Sequence, residues 1–477
     1  MHDKMDERRE LCYNPEDKVW KGTGMFMKRT GVFRQMGRIV TGTILAAVLL
    51  QGCGAKDDTL EKDLLIGVKK GIKVVNENTA DKQIAYEPCT LQFSWWGEET
   101  INPQMQQAVE CFEAAYPGIH VEASARQGEN REEELLEQLL GGTASDINQI
   151  RWEWLQEYSA DGSLFYDLYK AYEVLELGAF GQEYLNLCTI GEELQAIPAS
   201  VTGRVFLFDA TLFEQAGQTV PQTLQELVDA GEAFQSQLGD NYYPLALNTA
   251  DRMALLVYYL ESRYGKDWMV NGVLQYDVEE VEKGMEFLVM LEEQHVIPTL
   301  QKMKDADTMS RAAGWNNGFY GGVFLLDTEL QQYRESLSDG HRLAVGARLK
   351  DLGIYQGGHV QVACAYAVSE SCEHPREAAL FLNFLLNCEE GIAAISDTQG
   401  IPLSRIARAY GKEQGMWDST AWEANTRVLE ADFRATPELM EGLQDASVYA
   451  GVMSGLSYGD YNAREAAQLL MDGFESF

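Results

Sequence analysis

The chain has 477 residues, 45% of them hydrophobic and only 11 of them proline, which suits a packed globular protein of two or three domains and excludes a disordered one. Its 74 acidic residues outnumber 38 basic ones, and the resulting net charge of −36 repels phosphate backbones, so nucleic acid is a poor partner. The simplest use of such charge is a solvated surface, with a cationic ligand as the alternative.

The N-terminal region reads as an export signal. Lys28, Arg29, Arg34 and Arg38 precede an apolar run from Ile39 to Leu50, which is too short for a permanent span of a bilayer roughly 30 Å thick. A basic stretch, a short apolar stretch and small residues describe a secretory signal. The sequence Leu50-Gln51-Gly52-Cys53 resembles the lipobox of bacterial lipoproteins, which implies that Cys53 receives a diacylglycerol and that the chain is anchored on the outer face of the cytoplasmic membrane. Residues 1–52 are thus expected to be an upstream extension plus signal peptide, with translation starting at Met25 or Met27. Residues 53–85 are read as a tether, with room for a short helix over Leu64 to Val75.

From Cys89 onward, strand and helix signals alternate, the mark of an α/β architecture. Thr90 to Trp96 reads as a strand. Met105, Ala108, Val109, Phe112 and Tyr116 then follow helical spacing up to the stop at Pro117-Gly118. His120 to Ala125 is a second strand, Leu135 to Leu140 a second helical stripe closed by Gly141-Gly142, and Asp146 to Ile150 a third strand. The chain is expected to change lobes near Ile197 to Gly203, with Arg204 to Phe208 a strand. Thr223 and Glu226 form a T-x-x-E capping pattern, and a mainly helical stretch runs to about Val296. Tyr320 to Leu326 suits a buried strand returning to the first lobe, Cys364 to Val368 another strand, and Pro375 opens a helix with Ala378, Ala379, Leu382, Leu385 and Leu386 on its apolar face.

Six cysteines lie in the body: Cys89, Cys111, Cys188, Cys364, Cys372 and Cys388. They form no CxxC pair, and the six histidines form no HExxH, so neither a metal nor a cofactor is expected. Isolated cysteines in a large domain act as small buried hydrophobes, although export leaves a Cys364–Cys372 bridge open.

Several segments, in order, carry a resemblance. They are FSWWG at 93–97, FEAAYPGIHV at 112–121, GGTASDINQI at 141–150, IPASVTGRVFLFDATLFEQAG at 197–217, VPQTLQEL at 220–227, GWNNGFYGGVFLLD at 314–327, the stretch 365–391 and GIPLSRIA at 400–407. Together they resemble the extracellular sugar-binding proteins of bacterial ABC importers, the group that includes maltose-binding protein. The resemblance implies a type II periplasmic-binding-protein-like α/β fold: two discontinuous lobes joined by a hinge, with the ligand held in the cleft between them. It places 86–201 and 322–359 in the N-terminal lobe, and 202–321 and 360–477 in the C-terminal lobe. It implies a monomer that loads carbohydrate by lobe closure and delivers it to the transmembrane subunits of an ABC permease, with no catalysis.

A sugar presents apolar C–H faces and a rim of hydroxyls, which aromatic rings and carboxylates, amides or arginines satisfy respectively. Residues of both kinds gather where strands end, the part of an α/β fold that faces ligands. The candidates are Trp95, Trp96 and Glu98 after the first strand, Trp152 and Glu153 after the third, Arg204 with Thr202 at the crossing, Asp327, and His359; Trp154 and Arg151 lie beside them. Trp315 is expected in the core. Where the family often has Trp near Asp327, this chain has Leu326 and Thr328, which implies a sugar other than maltodextrin. The alternatives are a secreted carbohydrate-active enzyme, which would need two opposed carboxylates, and a binder of a polyamine.

Overall fold

The computed structural model describes residues 85–96, 101–126, 131–270, 272–305, 309–434 and 446–475. The signal region, the tether with its short helix, Cys53 and Glu98 lie outside the described residues.

The described chain opens on β1 (Cys89–Trp96), α1 (Asn102–Ala115), β2 (Ile119–Arg126), α2 (Arg131–Leu140) and β3 (Ile147–Ile150), the expected βαβαβ start. Pro103 occupies the first turn of α1, where its missing amide costs nothing, and Met105, Ala108, Val109 and Phe112 are buried at helical spacing. β1 lies between β2 and β3 and runs parallel to both, with Trp96 opposite Arg126 and Ser94 opposite Asn148.

The principal elements that follow are β4 (Ile197–Thr202), β5 (Arg204–Asp209), α3 (Leu224–Gln237), α4 (Thr249–Tyr264), α5 (Val278–Glu293), β6 (Gly322–Leu326), β7 (Leu343–Val345), β8 (His359–Val368), α6 (Pro375–Asn387) and α7 (Ser419–Leu429). Thr223 caps α3 by accepting from the Glu226 amide at 3.1 Å, while the Glu226 carboxylate accepts from the Gln222 amide at 2.7 Å. α4 starts with a capping box between Asn248 and Asp251 and stops at Gly265, whose φ of 69° is left-handed.

Two sheets organise these elements. In the first, β8 runs antiparallel to both β3 and β4, so β1, β2, β3 and β4 all point the same way and end on one edge. In the second, β5 runs antiparallel between β6 and β7, with Leu326 opposite Arg204. Its alternating residues serve two cores. Val205, Leu207, Val323 and Leu325 join the core of the first sheet, while Phe206, Phe208 and Phe324 join the helical core around α4 and α5. Only Gly203 separates β4 from β5. A Cβ there would come within 2.3 Å of the His359 carbonyl oxygen, so this crossing accepts glycine alone. Helix α7 packs against strands of both sheets.

This pairing corrects the expected lobe boundaries. Residues 322–345 belong with β5 in the second sheet and do not return to the first. Residues 359–434 belong with the first sheet, through β8. Tyr449, Val452, Leu456, Leu470 and Phe474 pack into the helical core. A later crossing therefore falls between Val345 and His359. The run YGGVFLL reports burial, and burial alone does not say which sheet a strand joins. All six body cysteines are free thiols, so Cys364 and Cys372 do not bridge; Cys364 is buried and accepts from Gln149 Nε2 at 3.3 Å. Among the described residues, no single helix is long and apolar enough to cross a membrane.

Candidate ligand-binding site where the two sheets meet

The register fixes where the candidate strand ends lie. β1, β2, β3 and β4 end at Trp96, Arg126, Ile150 and Thr202 on the same edge of the first sheet. Thr202 leads through Gly203 into Arg204, which lies opposite Leu326 at the end of β6. The bridge Ala246–Val323 is parallel, so the stretch leading into α4, with Asp251, arrives at that same end. The ends of β4 and β6 thus meet at the segment 202–204, on the edge of the first sheet where β1, β2 and β3 also end, the side on which α/β folds hold ligands.

Trp95 and Trp96 part company because successive side chains on a strand point to opposite faces. Trp95 is buried, 5.2 Å from Phe93 between ring centres, with its Nε1 donating to Asn102 Oδ1 at 3.0 Å. This corrects its expected role as a stacking platform: it is a core residue. Trp96 is half-buried, its amide donating to Gln149 Oε1 at 3.0 Å and its ring meeting Trp154 edge-on at 5.3 Å. Trp152 is also corrected, being 2% exposed and buried in the first core; its Nε1 has no hydrogen-bond partner among the described residues. Glu153 is buried and accepts from Arg151 Nη2 at 3.3 Å, so its carboxylate is occupied by its neighbour. Trp315 is in the core as expected, donating to the Tyr333 carbonyl oxygen at 3.0 Å.

Arg204 and Arg311 share a buried carboxylate. Arg204 Nη1 donates to Asp251 Oδ1 at 2.8 Å and to the Phe324 carbonyl oxygen at 2.9 Å. Arg311 Nη1 reaches Asp251 Oδ1 and Oδ2 at 2.9 and 2.8 Å. Each guanidinium keeps 19% of its side chain exposed, whereas Asp251 keeps 1%. At the end of β2, Arg126 donates to Ser94 Oγ and Asn148 Oδ1, both at 2.9 Å, and burial lowers its pKa against the opposing pull of Glu134. Only neutral oxygens hold it among the described contacts.

Asp327 knots the crossing rather than facing outward. Its Oδ1 accepts from Thr202 Oγ1 at 2.5 Å and from the Gly203 amide at 3.3 Å, and its Oδ2 accepts from Asn425 Nδ2 at 3.3 Å. Asn425 in turn accepts from Arg408 Nη1 at 2.6 Å. Burial raises the Asp327 pKa above the ordinary carboxylate value, against the lowering effect of these donors. His359, expected to line the site, has both ring nitrogens buried and unbonded. Its Nδ1 lies 3.6 Å from Glu261 Oε1, and burial, together with Arg204 and Arg348, lowers its pKa to about 3. Neither residue is placed to grip a sugar. Sequence reasoning missed Arg126 and Arg311, whose positions depend on strand register and on the shared Asp251. Among the described residues, no group of three His, Cys, Asp or Glu is arranged to hold a metal.

The family described as bacterial extracellular solute-binding protein matches residues 107–413. Among solved structures, a de novo designed cysteine esterase is similar at a TM-score of 0.76 and 26% identity, over 82% of this chain and 98% of that one. A periplasmic oligogalacturonide binding protein from Yersinia enterocolitica is similar at a TM-score of 0.73 and 27% identity, over 80% and 97%. A cyclic alpha-maltosyl-1,6-maltose binding protein from Arthrobacter globiformis shares the fold at a TM-score of 0.64 and 15% identity, over 82% and 100%. These neighbours support the two-lobe, type II architecture, and the family match is decisive: the chain belongs to the bacterial extracellular solute-binding proteins, in the maltose-binding-protein-like group.

Proposed function

We propose that this protein captures an oligosaccharide outside the cell by closing its two lobes on it, and hands it intact to the permease of an ABC importer. The observation that carries this reading is the set of strand ends on one edge, with Arg126 and the Trp96–Trp154 pair at the ends of β2 and β1, and Arg204 with Arg311 joined through Asp251 at the crossing. An indole offers a sugar ring a flat apolar face, and guanidinium forks hold hydroxyls and carboxylates.

Among sugars, an acidic one is the better match. Arg204 and Arg311 are balanced by Asp251 and Glu329, whereas Arg126 is held by neutral oxygens and, in a chain of net charge −36, offers an anionic guest a positive contact that a cationic one lacks. This argues against the polyamine reading. The oligogalacturonide-binding relative handles a sugar of that chemical class. Lipid anchoring through Cys53 completes the proposal and holds the protein, as a monomer, next to its permease. A Cys53→Ala variant is expected to appear in the culture medium and to lose incorporation of radiolabelled fatty acid.

A thermal-shift screen over neutral and acidic mono- and oligosaccharides, with spermidine included, tests the reading directly. Stabilisation is expected to grow with ligand concentration for an oligosaccharide and to be absent for spermidine. Chromatography of the sugar after incubation addresses the competing enzyme: a binder returns it unchanged, and shortened products that vanish on mutating one carboxylate would favour a glycosidase or lyase.

A further inference from the structure

The chain entering β1 and the turn between β8 and α6 are fastened side by side. The Glu87 amide donates to Glu377 Oε1 at 3.0 Å, and Arg376 donates to the Ala85 carbonyl oxygen. Farther along, Asp146 Oδ2 accepts from the Gln92 amide at 2.8 Å, and the Asp146 carbonyl oxygen accepts from the Ser369 amide at 2.9 Å. The stretches 87–92 and 369–377 are therefore held to each other at both ends, through Glu377 and through Asp146. Each carries one cysteine between its ties, Cys89 in the first and Cys372 in the second.

Side chains alternate along β1, so Cys89 points with Leu91 and Phe93 to the face that α6 covers, where Phe93 meets Phe381 of α6 at 5.1 Å between ring centres. Both cysteines are half-buried free thiols packed against the first core. The Cys372 amide donates to the Ser369 carbonyl oxygen at 3.0 Å, which folds the turn back toward Asp146. Its thiol donates to the Asp146 carboxylate and lies within electrostatic reach of Cys89. Asp146 acts on the Cys89 thiol as well, so one carboxylate stands beside both sulfurs. Burial, then Glu377, Asp146 and Glu87, push the Cys89 thiol up to about 11, and burial and Asp146 push Cys372 up too.

We propose that Cys89 and Cys372 are a redox modification site, closed to a disulfide by a disulfide oxidant outside the cell, which bolts the start of β1 to the turn that leads into α6. An oxidising compartment is where such bonds form and persist. The Cys89 thiol ionises and attacks one sulfur of the oxidant RSSR, releasing a thiolate. Cys372 then attacks the Cys89 sulfur, which forms the protein S–S bond and releases the second thiolate. The two protons lost by the cysteines leave with those thiolates as two RSH, and the electron pair has reduced RSSR. Thiols of raised pKa ionise rarely, so closure is slow near neutral pH. They are also poor leaving groups, so the closed bond resists reduction.

The test incubates the mature protein with oxidised glutathione at mildly alkaline pH, where more of each thiol is ionised, and maps its peptides by mass spectrometry without reduction. A linked pair of peptides holding Cys89 and Cys372 is expected, and treatment with dithiothreitol under denaturing conditions is expected to separate it. The oxidised protein is expected to melt about 3–10 °C above the reduced one, because the bond closes a long loop of the unfolded chain. Cys89→Ser and Cys372→Ser are each expected to abolish both the linked pair and the rise, whereas Cys111→Ser keeps both. If one of the first two variants does not fold, as judged by circular dichroism, the other decides. Glutathione adducts on both cysteines with no linked pair, equal melting temperatures for oxidised and reduced wild type, or a rise that survives in folded Cys89→Ser or Cys372→Ser would each overturn the proposal. None of these results depends on the protein binding sugar, so failure here leaves that reading standing.

Discussion

Thr202 Oγ1 donates to Asp327 Oδ1 across 2.5 Å, tying the last residue of β4 in the first sheet to the residue that follows β6 in the second. With Gly203 and Asn425 adding their own donors, the carboxylate is held from both sides of the crossing. Thr202→Val keeps the side-chain shape and removes the hydroxyl donor. It is expected to destabilise the protein by about 1.5–3 kcal/mol, the usual value of a hydrogen bond to a charged group, as read from urea denaturation. An unchanged midpoint would mean that Asp327 does not depend on Thr202.

The neighbours Trp95 and Trp96 are expected to respond in opposite ways. Trp95→Ala empties a core position and should cost about 3–5 kcal/mol of stability in the same denaturation measurement. Trp96→Ala leaves the fold standing and should weaken the best sugar ligand by about 1–2 kcal/mol. Unchanged affinity in a folded Trp96→Ala protein would remove that ring from the site.

His359 supplies a pH dependence whose sign is fixed by its environment. Its pKa falls from 6.5 to about 3 in the folded state, because burial and then Arg204 and Arg348 oppose its charge. In the window between those values the unfolded chain binds a proton that the folded chain does not. The contribution is therefore complete above the ordinary histidine value and lost as pH falls. Relative to His359→Gln, wild type is expected to lose about 1.4 kcal/mol of stability per pH unit on going from pH 6 to pH 4. Guanidinium titrations of both proteins at a series of pH values give the difference, and parallel curves would contradict a buried neutral imidazole.

Arg311 tests the preference for acidic sugars. Arg311→Gln is expected to weaken an oligogalacturonide by about 10- to 100-fold, the value of a charge-assisted hydrogen bond, with a smaller effect on any neutral oligosaccharide that binds. Fluorescence titration of the tryptophans provides the readout. An equal loss for acidic and neutral ligands would make Arg311 only a structural partner of Asp251 and Glu329.

Much of the fold was legible because its signals are local. Pro375 at a helix start, the Thr223 cap and the Pro117-Gly118 stop act within a turn of where they stand, and the observed elements follow them. What was not legible depends on partners far along the chain. Nothing in YGGVFLL says that Leu326 will lie opposite Arg204, and nothing in two adjacent tryptophans says which one faces the core. The site divides on the same line. Arg204 and Trp96 lie at strand ends that the sequence marks. Asp327 and His359 also follow such ends, yet the crossing takes up their side chains, because the contacts with Thr202, Asn425 and Glu261 exist only after folding.

Isothermal titration calorimetry of the mature protein with a size series of oligogalacturonides and maltodextrins measures the central claim most directly. The account predicts saturable one-to-one binding of at least one oligosaccharide, tighter for the acidic series. No saturable heat with any member of either series would contradict it.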